Sequence, residues 1–333
     1  MTKITIKDVA RHAGLHPSTV SRAINNHPEI KPETRARILQ TIEELGFIPD
    51  RAARSFRTGK TQSVSVILPS SGNDFYIRLI NSIDETLEEH DYDAGVYPLL
   101  SERRLTRYQN PSALPYQTDG LILASLDPEQ LYDNLLTIQG LPTVVLEVHS
   151  RHFDSVTLNN ALAGKLAARH LLERPTETFV IRYAASPEQA GVPNSGVFEE
   201  RLQGFLDTFR EAGAPLPAEN VLSSNFDEDQ IHQAAQAVLG QRKGAINVFA
   251  VCDDFTRVII EETQVGGLTL GEDVRLVGYD HGLRAHHLGL ASVFQAVEDM
   301  GRMATEMLME RIANPTLPVR HLQLDPVLKV GLT

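Results

Sequence analysis

The chain has 333 residues, 42% hydrophobic and 22% charged, the balance of a soluble globular protein too long for one core and suited to two or three domains. One cysteine, Cys252, excludes an intrachain disulfide framework and any multi-cysteine zinc site, and no apolar run reaches the about 18 residues of a membrane span. The net charge of −12 is unevenly spread: residues 1–60 carry eleven Lys and Arg against six Asp and Glu, a net of +5, and the remainder carries −17. A basic module on an acidic body draws a polyanion to one end of the molecule and repels it from the rest. The opening MTKITIKDVA has no apolar signal core, so a cytoplasmic, nucleoid-associated protein without a membrane partner is expected.

Ile4–Asn26 reads as two short helices and a tight turn. Thr5 can cap the first helix with Asp8 three residues on, the spacing of a capping box. Val9, Ala10 and Ala13 form its apolar stripe, and Gly14 stands where a left-handed C-cap is cheapest. Pro17 suits the first position of a second helix. Val20, Ala23 and Ile24 face inward, which leaves Ser18, Thr19, Ser21, Arg22 and Asn25 outside. Donors and acceptors on such a face fit base edges and phosphates in a major groove. The bland alternative is any helical hairpin with a polar outer face. A third helix is predicted over 32–45, with Ile38, Leu39, Ile42 and Leu45 facing in and Gly46 closing it.

Pro49 ends one element, and Asp50 can cap a short helix, Arg51–Arg57, before Gly59. About two turns of helix are not stable alone in water, so this segment should fold only when docked. DVARHAGLHPSTVSRAINN followed by PETRARILQTIEELGFIPDRAAR resembles the headpiece of the lactose/galactose repressor (LacI/GalR) family, without a gap across residues 8–26 and 32–54. This sequence departs from the family pattern at His16, where a Ser cap is usual, at Asp50 (Asn) and at Phe56 (Leu). The resemblance implies a DNA-binding face made of Thr5, His16, Pro17, Ser18, Thr19, Ser21, Arg22 and Asn25. It makes Arg51–Arg57 a hinge helix that lies in the minor groove at the operator centre, with Arg51, Arg54 and Arg57 on phosphates or the narrow groove. Phe56 would be its wedge between base pairs. The alternative for Phe56 is packing on the core.

From Ser63 on, strands and helices alternate. Strands are predicted at 63–68, 94–99, 120–125, 143–148, 178–183, 219–224, 246–251 and 274–280. Helices are predicted at 75–90, 160–173, 198–213, 227–240 and 300–312, with an interrupted helix in 101–117 and a β-type pattern in HLQLDPVLKV. Continuous apolar strands between helices imply parallel sheets covered on both faces. The fold class is therefore α/β: a helix-turn-helix headpiece plus two doubly wound subdomains. The family resemblance adds that the core is similar to periplasmic sugar-binding proteins, with three crossings between subdomains, expected near 157–159, 289–292 and 320–323. The expected domains are 1–48 (headpiece), 49–61 (hinge helix and linker) and 62–333 (effector-binding and dimerisation core). Within the core, the N-subdomain takes about 62–157 and 292–320, and the C-subdomain about 158–290 and 322–333.

Ligands of open α/β sheets bind beyond the carboxyl ends of the strands. That rule points to a cleft lined by Ser70–Phe75, Ala124–Ser125, Glu147, Asn159–Asn160, Cys252–Asp253, Tyr279–Asp280 and Gln295, with Phe75, Tyr76, Phe226, Tyr279 and Phe294 as the available rings; Phe75, Glu147, Asn159, Asp253, Tyr279, Asp280 and Gln295 are the expected effector-binding residues. Arg201, in the family motif R-x-x-G-F (Arg201, Gly204, Phe205), joins them through the resemblance. Each has a structural alternative: Asn159 and Asp280 as helix caps, Arg201 paired with Glu200 or Asp207. Cys252 stands where the family commonly has Asn, and Asn159 where it commonly has Asp, so the effector is expected to differ from a typical hexose. His281, His286 and His287 lack ligands at zinc spacing, and no metal is expected. No Ser-His-Asp set, P-loop or dinucleotide fingerprint occurs, so neither an enzyme nor a cofactor is expected. The combined expectation is a DNA-binding transcriptional repressor. It would bind a near-palindromic double-stranded operator as a homodimer, since no heptad tail follows the last strand, and would answer to a small polar, carbohydrate-type effector. A co-repressor-dependent regulator, a regulator controlled by a protein partner and a solute-binding protein remain open alternatives.

Overall fold

The computed structural model describes residues 4–24, 27–47, 60–69, 72, 74–99, 103–104, 106, 118–132, 138, 140–184, 196–280 and 288–331. The predicted hinge helix Arg51–Arg57, Asn25, most of the interrupted helix in 101–117 and the three histidines of 281–287 lie outside the described residues. The chain divides into two compact units, Met1–Thr61 and Gln62–Thr333.

The first unit is three helices: α1 (Ile6–Ala13), α2 (Pro17–Ile24) and α3 (Pro32–Leu45). The α1 start is a capping box in which the Thr5 backbone N–H and hydroxyl both donate to the Asp8 carboxylate, at 3.0 and 2.6 Å. Gly14 and Gly46 end α1 and α3 at φ +64° and +61°, a conformation that charges an L side chain about 1–2 kcal/mol and glycine nothing. Val9, Ala10, Val20, Ala23, Ile38 and Phe47 make the buried centre. Leu39 corrects the sequence reading: it is 50% exposed. Ile38 and Ile42, four apart, already hold the inward stripe, and Thr41 turns in instead, its hydroxyl donating to the Arg37 carbonyl.

The second unit holds two six-stranded sheets. Its strands are β1 (Ser63–Leu68), β2 (Asp93–Pro98), β3 (Gly120–Ala124), β4 (Thr143–Leu146), β5 (Asp154–Leu158), β6 (Glu177–Tyr183), β7 (Val221–Ser224), β8 (Ile246–Ala250), β9 (Val274–Tyr279), β10 (Ala291–Phe294), β11 (His321–Leu324) and β12 (Val327–Lys329). The helices are α4 (Asp74–Glu89), α5 (Pro128–Leu131), α6 (Asn160–Leu172), α7 (Gly196–Glu211), α8 (Glu228–Gln241), α9 (Asp253–Val265) and α10 (Val297–Ala313). The first sheet runs β11-β5-β4-β3-β1-β2, all parallel; the second runs β12-β10-β9-β8-β6-β7, parallel except for β12. Apart from its outer strand, each half has the same doubly wound order, with a switch point between its first and third strands. The central strands are buried along their whole length. Each Val, Leu or Ile so covered contributes about 1.5–3 kcal/mol relative to exposure.

The later crossings fall further along the chain than the sequence indicated. Ala291–Phe294 pairs with β9, so it completes the second sheet and the chain crosses at Gln295–Ala296. His321–Leu324 pairs with β5 in the first sheet, and the last crossing is at Asp325–Pro326. The expected N-subdomain segment 292–320 and C-subdomain segments 158–290 and 322–333 shift accordingly. The single β-type pattern after 320 is two strands in two sheets, parted by a proline whose missing N–H ends the ladder.

Polar residues concealed β5. Its Asp154, fully buried, accepts from Arg311 (2.9 and 2.7 Å), from the Arg320 backbone N–H (2.8 Å) and from the Arg320 side chain (3.2 Å). This network ties β5 to α10 and to the segment that leads into β11.

Candidate functional site

In the headpiece, the α2 face that carries His16, Ser18 and Arg22 is exposed, and Pro17, Thr19 and Ser21 are half-buried. His16 replaces a serine cap in kind. Its Nδ1 accepts the Ser18 backbone N–H at 3.3 Å and lies 2.8 Å from the Ser18 hydroxyl. Thr5 serves the α1 cap from an exposed position. Asn25, Arg51, Arg54, Phe56 and Arg57 fall outside the described residues.

In the core, the backbone itself marks the cleft. Ser125, Glu147 and Asp280 directly follow β3, β4 and β9, and all have positive φ (54°, 63° and 76°). Three non-glycine residues in the left-handed region, at about 1–3 kcal/mol each, persist only where their surroundings fix them. Here the surroundings are one polar cluster. The Ser125 hydroxyl donates to the Glu147 carboxylate, which faces Arg201 of the other lobe at 3.9 Å; both side chains are almost fully buried. Gln295 donates its amide to Asp280. The Asp253 backbone N–H also donates to Asp280, and Arg78 donates to the Asp280 carbonyl at 3.3 Å.

Arg201 is held from every side. Its Nε donates to the Asn160 side-chain oxygen at 2.8 Å and its Nη1 to the Val251 carbonyl at 3.0 Å. The guanidinium lies 3.7 Å from the Tyr279 ring centroid and 5.1 Å from that of Phe198. The Tyr279 hydroxyl donates to Asn160 as well. Sequence dictates this placement through two glycines. A Cβ on Gly164 would stand 1.9 Å from the Arg201 carbonyl oxygen, and one on Gly204 would stand 2.1 Å from that of Ala161. α6 and α7 therefore touch backbone to backbone, and only this approach brings Arg201 to Asn160 at the start of α6.

Burial pushes the carboxyl groups of Glu147 and Asp280 above the usual carboxylate range, although Arg201 pulls both down. Burial likewise raises the Cys252 thiol at the N-cap of α9. The ensemble combines acceptors, a fixed cation and amide donors with aromatic surface. Tyr183, Phe198 and Phe226 stack beside it at 4.9–5.9 Å, and Phe226 is 42% exposed. A site of this make-up suits a small ligand rich in hydroxyl or amide groups.

Of the residues read from sequence, the structure brings together Glu147, Arg201, Tyr279, Asp280, Gln295 and the backbone of Asp253. Phe75 packs in the first lobe's core and edge-on against Tyr76. Asn159 caps α6 by accepting from Leu162 N–H and donates to Asp325, which ties the first crossing to the last. Asn160 lies in the strand-end lining expected from sequence and Tyr76 among the rings available to it, whereas Arg78 was not anticipated. Tyr76 contacts Ser125 and lies near Glu147, Asp280 and Arg201. Arg78 binds Glu298 through two hydrogen bonds (2.7 and 2.8 Å) while reaching the second lobe. The available signal was helical spacing: Tyr76 and Arg78 lie in the first two turns of α4, directly after a strand-end loop.

The sequence profile described as "Bacterial regulatory proteins, lacI family" matches residues 5–50, and that described as "Periplasmic binding proteins and sugar binding domain of LacI family" matches residues 61–324. The chain belongs to the LacI family. A curated relative, the HTH-type transcriptional repressor PurR of Photorhabdus laumondii, is 29% identical over 332 residues, covering 97% of this chain and 94% of the relative. Among solved structures, the transcriptional regulator CelR in complex with cellobiose is 26% identical, with a TM-score of 0.70, covering 98% of this chain and 99% of that one. The lac repressor dimer bound to operator and an anti-inducer shares the fold, at 18% identity and a TM-score of 0.83, covering 100% and 99%. Within this LacI-family chain no described helix is long and apolar enough to cross a membrane.

Proposed function

We propose that the protein is a dimeric, sequence-specific transcriptional repressor whose hold on a near-palindromic operator is set by a small polar effector in the interlobe cleft. The observation that carries this reading is one chain that joins a basic helix-turn-helix unit to a two-lobed core with a buried Arg201, bonded to Asn160 and the Val251 carbonyl, at the lobe boundary. In this reading Thr5, His16, Pro17, Ser18, Thr19, Ser21, Arg22 and Asn25 meet the major groove. Arg51–Arg57 form the hinge helix, with Phe56 as the wedge.

Glu147, Arg201, Tyr279, Asp280 and Gln295 take the effector, with Asp253, Asn159 and Phe75 at the margin. The effector is carbohydrate-type: its hydroxyls donate to the carboxylates and accept from Arg201 and Gln295, in line with the sugar-binding description of the core profile and the cellobiose bound by CelR. The core binds its ligand without transforming it, and the protein works in the cytoplasm, at the nucleoid. Effector and operator are then linked by a coupling free energy of about 1–3 kcal/mol, felt equally at both sites.

A thermal-shift screen of neutral sugars, nucleobases and amino acids tests the reading. A ligand at 100 times its Kd should add about 2.7 kcal/mol of stability and change the protein's affinity for DNA. A stabilising ligand with no effect on DNA binding would refute the linkage.

A further inference from the structure

Arg22 is the basic side chain of the exposed α2 face, and it does not extend freely into solvent. Its Nη1 donates to the Glu29 carboxylate at 3.2 Å, across seven residues of sequence. Both side chains are more than half exposed. Glu29 is held in place by the turn it sits on. The His27 N–H donates to the Arg22 carbonyl at 3.0 Å, the Ile30 N–H to the His27 carbonyl at 3.1 Å, and the Arg35 guanidinium to the same His27 carbonyl at 3.1 Å. The His27 ring accepts the Glu29 backbone N–H at 3.4 Å. Ile30 packs on the headpiece core. The carboxylate is thus presented to Arg22 by a turn anchored on both sides.

A carboxylate on the face that approaches DNA is unfavourable by itself, because it repels phosphates and offsets the positive charge that gives non-specific affinity. Its benefit must therefore be geometric. Arginine's long side chain carries much rotamer entropy, which base contact would otherwise have to overcome. An acceptor on Nη1 restricts that freedom beforehand and leaves the Nε–Nη2 edge for two parallel bonds to guanine O6 and N7. Restricting a group in its bound orientation lowers the ordering cost of the contact it makes, so the gain falls on the one base pair that Arg22 reads.

We propose that Glu29 is a positioning residue for operator reading: it aims Arg22 at one base pair in each half-site and, by its charge, keeps the headpiece from holding arbitrary DNA. The inference rests on the assignment of Arg22 as a base reader. Selection of binding sites from a random duplex pool with the full-length protein, followed by competition with single-base-pair variants of the selected site, tests it. The proteins compared are wild type, Glu29→Gln and Arg22→Ala.

The inference expects Glu29→Gln to lose discrimination at the same base pair that Arg22→Ala affects, by about twofold to fivefold as an exposed ion pair allows. Preference at the other positions stays intact, and affinity for unrelated DNA rises. A uniform gain or loss across all positions in Glu29→Gln would show a charge effect alone and overturn the positioning role, as would no change. A motif that survives Arg22→Ala unaltered would remove the base-reading assignment instead. A wild-type protein that enriches no sequence would overturn the DNA reading as a whole, and the inference with it.

Discussion

Arg201 on α7 and Glu147 after β4 face each other across the two lobes at 3.9 Å, with side chains only 3% and 6% exposed. Neither is free to relax. Glu147 sits in a left-handed backbone conformation with Ser125 bonded to its carboxylate, and Arg201 is bonded to Asn160 and Val251. A buried pair of this kind is a poor source of net stability, since desolvation opposes the attraction. It is a sound contact for reporting on the cleft, because any ligand that takes hydrogen bonds from Arg201 must alter it.

Glu147→Gln should raise the melting temperature of the ligand-free protein at pH 7.5. The Glu147 carboxyl is raised by burial, so its contribution is most favourable below the usual carboxylate range and is lost as pH rises through the elevated value. A neutral isostere removes that penalty. The gain should shrink as pH falls through the raised value into the usual carboxylate range. Melting curves across that range check it. A Tm that falls at pH 7.5 would mean the ionised bridge is net stabilising.

Arg201→Met should cost about 3–5 kcal/mol, the range for removing one partner of a buried pair, since Glu147 loses the facing cation and Asn160 and the Val251 carbonyl each lose a donor. Arg201→Lys should recover only part of this, because a single ammonium cannot copy the planar fork stacked on Tyr279. Urea denaturation separates the two variants.

Gly204→Ala places a methyl 2.1 Å from the Ala161 carbonyl oxygen. Backbone, not a flexible side chain, must move, so the substitution should destabilise by about 1–3 kcal/mol or more. It should also weaken effector binding by shifting Arg201 away from Asn160. Gly213→Ala, at φ +74° but with nothing within 4 Å, should cost about 1–2 kcal/mol through its backbone alone and leave effector binding intact. Denaturation and ligand-binding curves for the pair distinguish packing from conformation.

Asp154 governs acid stability in the opposite sense to Glu147. Burial raises its pKa, but its bonds to Arg311 and Arg320 more than offset this and hold it below the usual carboxylate range. Its contribution is therefore complete above that range and is lost as pH falls through the depressed value. Asp154→Ala, which leaves Arg311 and Arg320 without their shared acceptor, should cost about 3–5 kcal/mol at neutral pH. The difference from wild type should narrow under acid. A constant difference down to pH 2.5 would contradict the assignment.

The headpiece was readable because each of its signals is local: the Thr5–Asp8 box, Gly14, Pro17 and Gly46 lie within a turn of what they control. The apolar strands of the core were equally plain. Strands completed by polar groups were not. Asp154 and Ser155 disguise β5, because the partners that make them buriable, Arg311 and His321, come from segments far along the chain; Ser292 interrupts the apolar run of β10. The same holds for the site. Glu147 and Asp280 announce themselves as charges at strand ends, whereas the bond from Arg201 to Asn160 forms only because Gly164 and Gly204 draw two helices together. Asn159, the more conspicuous neighbour, is a helix cap.

The basic headpiece makes this LacI-family protein a sequence-specific DNA binder. Equilibrium binding of the full-length protein to its selected duplex and to a scrambled duplex of the same composition, across salt from about 50 to 200 mM, tests it most directly. The selected duplex should be preferred by about a thousandfold or more, and the affinities should fall with a log–log slope of several units. Equal affinity for the two duplexes, or binding indifferent to salt, would contradict it.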